Sequence, residues 1–251
     1  MDTLHMLPST GSTGTPAPPA PDSAWGHRAP GEPRWPASLA VLAILLLYWL
    51  LPERLTVGPT WIVPALALAL LVPLSLAAPH RRPDEPPWQR LAAVALIAVV
   101  NLANLGSLIL LVQALLQGRT LVGRTHLDGR TLLLSSVAIW LTNVLVFALW
   151  YWELDRGGPD DRGGPDDRAR PLHRQPDFLF PQMTTPGCAD PRWSPSFMDY
   201  TYVSFTNATA FSPTDTMPLT PAAKALMTVQ SLASLLTVAL VAARAVNILG
   251  S

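Results

Sequence analysis

The segment from Ser194 to Asp215, SPSFMDYTYVSFTNATAFSPTD, sets hydroxyl, amide and carboxylate side chains into an otherwise apolar stretch. Asp215 is the group with the most chemical potential, because a carboxylate beside a bilayer is costly unless it is paired or wet. Two roles fit it: bracing the turn before Pro218 through the Asx habit of aspartate, or attracting cations if several subunits surround an axis. Two stripes of polar side chains at helical spacing accompany it: Asn101, Asn104 and Ser107, and later Gln230, Ser234 and Thr237. The first expectation for both is interhelical hydrogen bonding, worth about 0.6 kcal/mol per contact on average. The second is the wall of a hydrophilic path.

Catalytic chemistry has little to work with. No histidine falls inside an apolar run, so a Ser-His or His-metal centre within the membrane lacks its base or its ligands. An aspartate pair is limited to Asp199 and Asp215, and no GxxxxGK[ST] or GxGxxG fingerprint occurs. Cys188 is the only cysteine and cannot pair internally. The chain is therefore expected to be no enzyme and to carry no catalytic residues, metal or cofactor. The sequon Asn207-Ala208-Thr209 sits in a presumed buried helix and is read as chance.

These residues are positioned by unusually apolar surroundings. Only 14% of the 251 residues are charged, against about 25% in average soluble domains. Mean hydropathy is positive and the formal net charge is zero, which gives no pointer to nucleic acid as a partner. Lys224 is the one lysine among 17 basic residues, a bias that suggests a GC-rich, bacterial source.

A bilayer core of about 30 Å takes roughly 20 apolar residues in a helix. Five runs are read as spans: Ala37 to Leu51, Trp61 to Ala78, Leu91 to Gln117, Thr131 to Trp152 and Ala222 to Leu249. Pro64 and Pro73 are expected to kink the second. The WYWE closing the fourth reads as an aromatic belt at the headgroups. Thr220 is a good N-cap for the last, with Pro221 at its first position. Lys224 and Arg244, near its two ends, can snorkel to the headgroups.

Residues 1–36 are expected to be a disordered Pro/Ser/Gly-rich tail without a cleavable leader. Residues 37–152 make a four-helix membrane region, and residues 153–193 a flexible polar loop. That loop holds DRGGPD twice in tandem, from Asp155 and from Asp161, read as a duplicated linker. DFLFPQ, Asp177 to Gln182, is its apolar island and is expected to pack on the protein or rest in the interface.

Residues 194–251 combine a short helix with the last span. Ser194 can cap a helix that opens on Pro195 and continues to about Thr209, too short to cross the core. Phe197, Tyr200, Ser204 and Ala208 fall on one stripe of it. Ser212 and Pro213 then end the helix. Irregular backbone at membrane depth survives only where protein or water surrounds it, so a re-entrant loop is the economical reading. An amphipathic helix on the membrane surface is the alternative.

This block resembles the pore region of the voltage-independent potassium channels with two spans per pore, which read YFSFxTxTTVGYGDxxPxT. Tyr202, Ser204, Phe205, Thr209, Asp215, Pro218 and Thr220 match in register without a gap. The filter-like stretch is Thr209, Ala210, Phe211, Ser212, Pro213, Thr214 and Asp215. Where the family has glycine, tyrosine and glycine, this chain has Ser212, Pro213 and Thr214. A potassium filter aims successive carbonyls at the ion, and proline restricts both its own backbone and that of the residue before it. The resemblance implies the scaffold of a pore loop without its potassium-selective chemistry, and a tetramer if the chain is channel-like.

A second resemblance is to an uncharacterised bacterial membrane family (domain of unknown function 1345). It rests on Tyr202 to Thr206, Ser212 with Asp215, Lys224, and the closing ARAVNIL. The wider Ser212–Asp215 spacing and the missing histidine early in the last helix depart from that family. This resemblance implies architecture only. The expected protein is all-α, with five transmembrane helices and one re-entrant half-helix, and is multi-pass in the cell membrane with the lipid bilayer as its partner. Its function is either channel-like or that of a non-conducting structural or accessory protein.

Overall fold

The computed structural model describes residues 34–77, 87–116, 129–155, 158, 176–185, 187, 193–209 and 215–249. Most of the 1–36 tail and much of the 153–193 loop lie outside them. Among these residues seven α-helices follow in order: α1 (Trp35–Trp49), α2 (Ile62–Ala77), α3 (Pro87–Leu116), α4 (Gly129–Leu154), α5 (Pro181–Thr184), α6 (Phe197–Thr209) and α7 (Pro221–Leu249). Two short strands, β1 (Phe178–Leu179) and β2 (Met217–Pro218), pair antiparallel, with Phe178 opposite Pro218 and Leu179 opposite Met217.

Among the described residues three helices are long and apolar enough to cross a membrane, within Leu91–Leu115, Gly129–Leu154 and Pro221–Ala242. The described chain is thus mostly helical, with apolar helices compatible with a membrane protein. α1 is apolar but only 15 residues long, and α2 has 16. At 1.5 Å per residue each reaches about 22–24 Å.

The outside of the bundle is greasy and its inside partly polar. Leu39, Leu42, Leu46 and Trp49 are exposed on α1, and Val229, Leu232, Leu235 and Leu236 on α7. Asn104, Ser107, Asn143, Gln230, Ser234 and Thr237 are buried. Water would penalise that surface, whereas hydrocarbon favours it and drives polar side chains to meet between helices.

α4 is the axis of the fold. Of its apolar window 67% is buried, against 28% for α7, and it packs on α1, α3, α6 and α7. The α1 stripe Ala37, Ala40, Val41, Ile44, Leu45 and Tyr48 follows the 3.6-residue period and faces inward. The connection between α1 and α2 reaches α3 at Gly106, where an added Cβ would stand 2.3 Å from Val57 Cγ2. Only glycine lets that approach occur without displacement.

Three expectations need correction. The WYWE of α4 is not a belt facing lipid headgroups, because Tyr151, Trp152 and Glu153 are all buried. Tyr151 packs on Phe147 and Phe178, and Trp152 meets Phe197 edge-on at 5.8 Å. The cap of α6 is Ser196 rather than Ser194. Asp199 Oδ2 accepts from Ser196 N at 2.7 Å and from Ser196 Oγ at 2.8 Å, an acid three residues past the cap that Ser194 lacks. Finally, Asp155 is no part of an inert linker, for it is fully buried. The apolar island does pack on the protein, with Phe178 and Phe180 in the core.

Candidate functional site

α6 lies against α4 and α7, and its hydrogen bonds fix its direction. Tyr200 reaches Asp155 at the end of α4, while four residues on Ser204 Oγ donates to Val144 O at 2.6 Å. α6 therefore runs antiparallel to α4. Along α7 the partners advance together: Gln230 Nε2 donates to Ser204 O at 2.9 Å, and Ser234 Oγ donates to Ala208 O. α6 runs parallel to α7.

At the end where α6 begins, four polar residues form a clasp. Asp155 Oδ1 accepts from the backbone N–H groups of Asp177 (2.7 Å) and Phe178 (3.3 Å), and its Oδ2 accepts from Tyr200 Oη at 2.6 Å. Asp177 Oδ1 accepts from Thr220 Oγ1 at 2.5 Å, and Leu219 N donates to Asp177 O at 2.8 Å. Thr220 also caps α7, accepting from Ala223 N at 3.3 Å. The end of α4, the β1–β2 pair and the start of α7 are thus tied at one level. A buried carboxylate is tolerated here because several donors converge on it.

Below the clasp runs a polar seam. Asn207 Nδ2 donates to Gln230 Oε1 at 2.8 Å and to Met227 O at 3.0 Å. Tyr151 Oη donates to the same Gln230 oxygen, and Gln230 Nε2 also meets Ser204 Oγ at 2.6 Å. Ser231 Oγ donates to Asn207 Oδ1 at 3.0 Å. Trp140 Nε1 donates to Ser234 Oγ at 2.8 Å, and Asn143 Nδ2 to Gln230 O at 3.3 Å. Gln230 and Ser234 are the interhelical ties expected of their stripe. Thr237 instead bonds back to Ala233 O at 2.8 Å within its own helix. The α3 stripe behaves differently, since Asn101 Oδ1 and Ser107 Oγ are buried and have no hydrogen-bond partner among the described residues.

Phe197, Tyr200, Ser204 and Ala208 are all buried, as the stripe predicts. Tyr202 and Phe205, which carry much of the pore-loop likeness, are exposed at 57% and 47%. Thr209 is the last residue of α6, with Oγ1 donating to Thr206 O at 3.0 Å. Asp215 is exposed where the described chain resumes before β2. Ala210, Phe211, Ser212, Pro213 and Thr214 lie outside the described residues, as does Cys188. Among the described residues no group of His, Cys, Asp and Glu is arranged to hold a metal ion.

Two features escaped the sequence reading. The clasp on Asp155 hid inside a Gly/Pro-rich repeat. Its one signal was an acid at a helix C-terminus, where the macrodipole disfavours it unless donors hold it. The other is an open groove of about 420 Å³ between α6 and α7, lined by Asn207, Lys224, Thr228, Ser231, Leu232 and Leu235, among others.

No family model matches the sequence, and no match is found among curated proteins or solved structures.

Proposed function

We propose that the chain is a multi-pass cell-membrane protein with five spans, α1 to α4 and α7, in which α6 is a re-entrant half-helix of channel-like design. One observation carries this reading. α6 starts at the clasp and descends beside α7 to Ser234, about 20 Å along that helix at 1.5 Å per residue. By Met217 and Pro218 the chain is paired with β1 at the clasp again. A segment that enters and leaves on one side, with its helix ending part-way down, has the layout of a pore loop. The C-terminal end of α6 brings the negative pole of its macrodipole to that depth, which favours a cation there. The short α1 and α2 are accommodated by local thinning of the bilayer and by anchors such as the exposed Trp49 and Trp61.

Potassium selectivity is not part of the proposal, because Ser212, Pro213 and Thr214 replace the glycines and tyrosine such a filter needs. Conduction requires several copies around an axis, a tetramer on the pore-loop analogy. The likeness to the uncharacterised bacterial family is proposed as shared architecture only. A second reading, a non-conducting accessory protein, is favoured by the seam itself. Gln230, Asn207 and Ser204 direct their polar atoms to one another and to backbone, which is the economy of a packed bundle.

Flux separates the two. Purified protein in liposomes is assayed for cation flux, alongside a variant carrying Ser212→Gly, Pro213→Tyr and Thr214→Gly. The channel-like reading expects potassium flux over sodium in the variant. A folded, inserted variant without flux leaves the accessory reading.

A further inference from the structure

We propose that the groove between α6 and α7 binds one anionic phospholipid, its headgroup on Lys224 and its chains over Leu232 and Leu235. The proposal rests on the membrane reading above but not on conduction. Lys224, Thr228, Ser231 and Leu235 recur at intervals of four, three and four along α7, so they lie on one stripe. All four line the groove, with Leu232 beside them and Asn207 contributed by α6. Read inward from the clasp end, the stripe passes from a cation through two hydroxyls to leucines. A phospholipid presents the same order: phosphate, ester linkages, acyl chain.

The depths agree as well. Lys224 lies in the first turn of α7, whose cap Thr220 sits in the clasp, while Leu235 lies about 16 Å further along the helix. That places the ammonium at headgroup level and the leucines in hydrocarbon. A volume of about 420 Å³ is within the usual range of ligand pockets. The hydroxyls keep the wall polar without adding charge: Thr228 Oγ1 donates to Lys224 O at 2.8 Å and Ser231 Oγ to Asn207 Oδ1. Lys224 is therefore the formal charge lining the groove, and a basic group there selects an anionic headgroup over a zwitterionic one.

The test uses the full chain, purified in detergent, with phosphatidylglycerol or phosphatidylcholine added. Native mass spectrometry counts bound lipid, and thermal melting reports stabilisation. Wild-type protein is expected to retain one phosphatidylglycerol more tightly than phosphatidylcholine. Lys224→Gln should weaken that preference roughly fivefold, the effect of one basic residue near an anionic surface, and Lys224→Arg should keep it. Extraction from membranes at high pH checks that each variant inserts. Equal retention of the two lipids by wild type, or an unchanged preference in Lys224→Gln, would overturn the proposal. So would efficient L232C cross-linking between copies in native membranes, in a background with Cys188 replaced, because the groove would then be covered by a second copy. None of these outcomes depends on flux.

Discussion

Tyr200 donates its phenolic hydrogen to Asp155 across 2.6 Å, and both residues are fully buried. The bond joins the first turns of α6 to the end of α4, 45 positions earlier in the chain. It decides how α6 enters the bundle. Tyr200→Phe keeps the ring that meets Phe178 and Phe180 edge-on but removes one donor from a buried carboxylate. Hydrogen bonds to charged groups contribute about 1.5–3 kcal/mol. Tyr200→Phe is therefore expected to destabilise by about that amount in a detergent unfolding titration, with insertion intact. A loss below about 0.5 kcal/mol, the usual scatter of neutral surface changes, would show that the clasp does not depend on this bond.

The seam makes a graded prediction. Gln230→Leu leaves Asn207, Ser204 and Tyr151 short of partners in a buried setting, so a loss of roughly 1–3 kcal/mol is expected. Thr237→Val should cost about 0.5 kcal/mol or less, since the Thr237 hydroxyl is spent on Ala233 O within its own helix. The two stand on the same face of α7, and unfolding of both variants under one condition gives the comparison. Equal losses would mean that burial rather than hydrogen bonding sets stability on that face.

Gly106 tests the packing of the α1–α2 connection on α3. Gly106→Ala places a methyl group 2.3 Å from Val57 Cγ2, and overpacking of this kind costs typically about 1–3 kcal/mol. Val57→Ala removes the obstacle. The double variant is expected to recover most of the stability, so the two effects should be strongly non-additive. Additive losses in the same melting assay would place Val57 elsewhere.

Much of this fold was legible because helical period survives in sequence. The stripe Phe197, Tyr200, Ser204 and Ala208 could be read directly, as could the ties at Gln230 and Ser234 and the Thr220 cap. The cap of α6 was misread for a local reason: Ser194 precedes a proline, but only Ser196 has an acid three residues on to accept its N–H. The aromatics at the end of α4 have one composition whether they face lipid or the β1–β2 pair, so sequence could not separate the two. Asp155 was hidden because a Gly/Pro-rich repeat looks like linker wherever it starts. Of the filter-like residues, Thr209, the last residue of α6, and the exposed Asp215 before β2 are the two that fall within the described residues.

The repeat gives a further prediction. Because the copies beginning at Asp155 and Asp161 are identical and adjacent, deleting either leaves an aspartate at the end of α4. Deletion of one DRGGPD copy is therefore expected to shift the melting temperature by no more than a few degrees, since closure entropy changes only slowly with loop length. Asp155→Ala should lower it clearly, by removing the acceptor for three donors. A deletion as damaging as Asp155→Ala would show that the second copy carries structure of its own.

The central claim is that α6 enters and leaves on one side of the membrane, and side-specific labelling tests it most directly. With Cys188 replaced, single cysteines are placed by S194C, before α6, and by M217C, in β2 after it. Met217 is 61% exposed, so reagent can reach the second site. Vesicles of known orientation are treated with a membrane-impermeant maleimide before and after permeabilisation. Labelling of both positions from the same side is the predicted result. Labelling from opposite sides would make the segment a span and contradict the account.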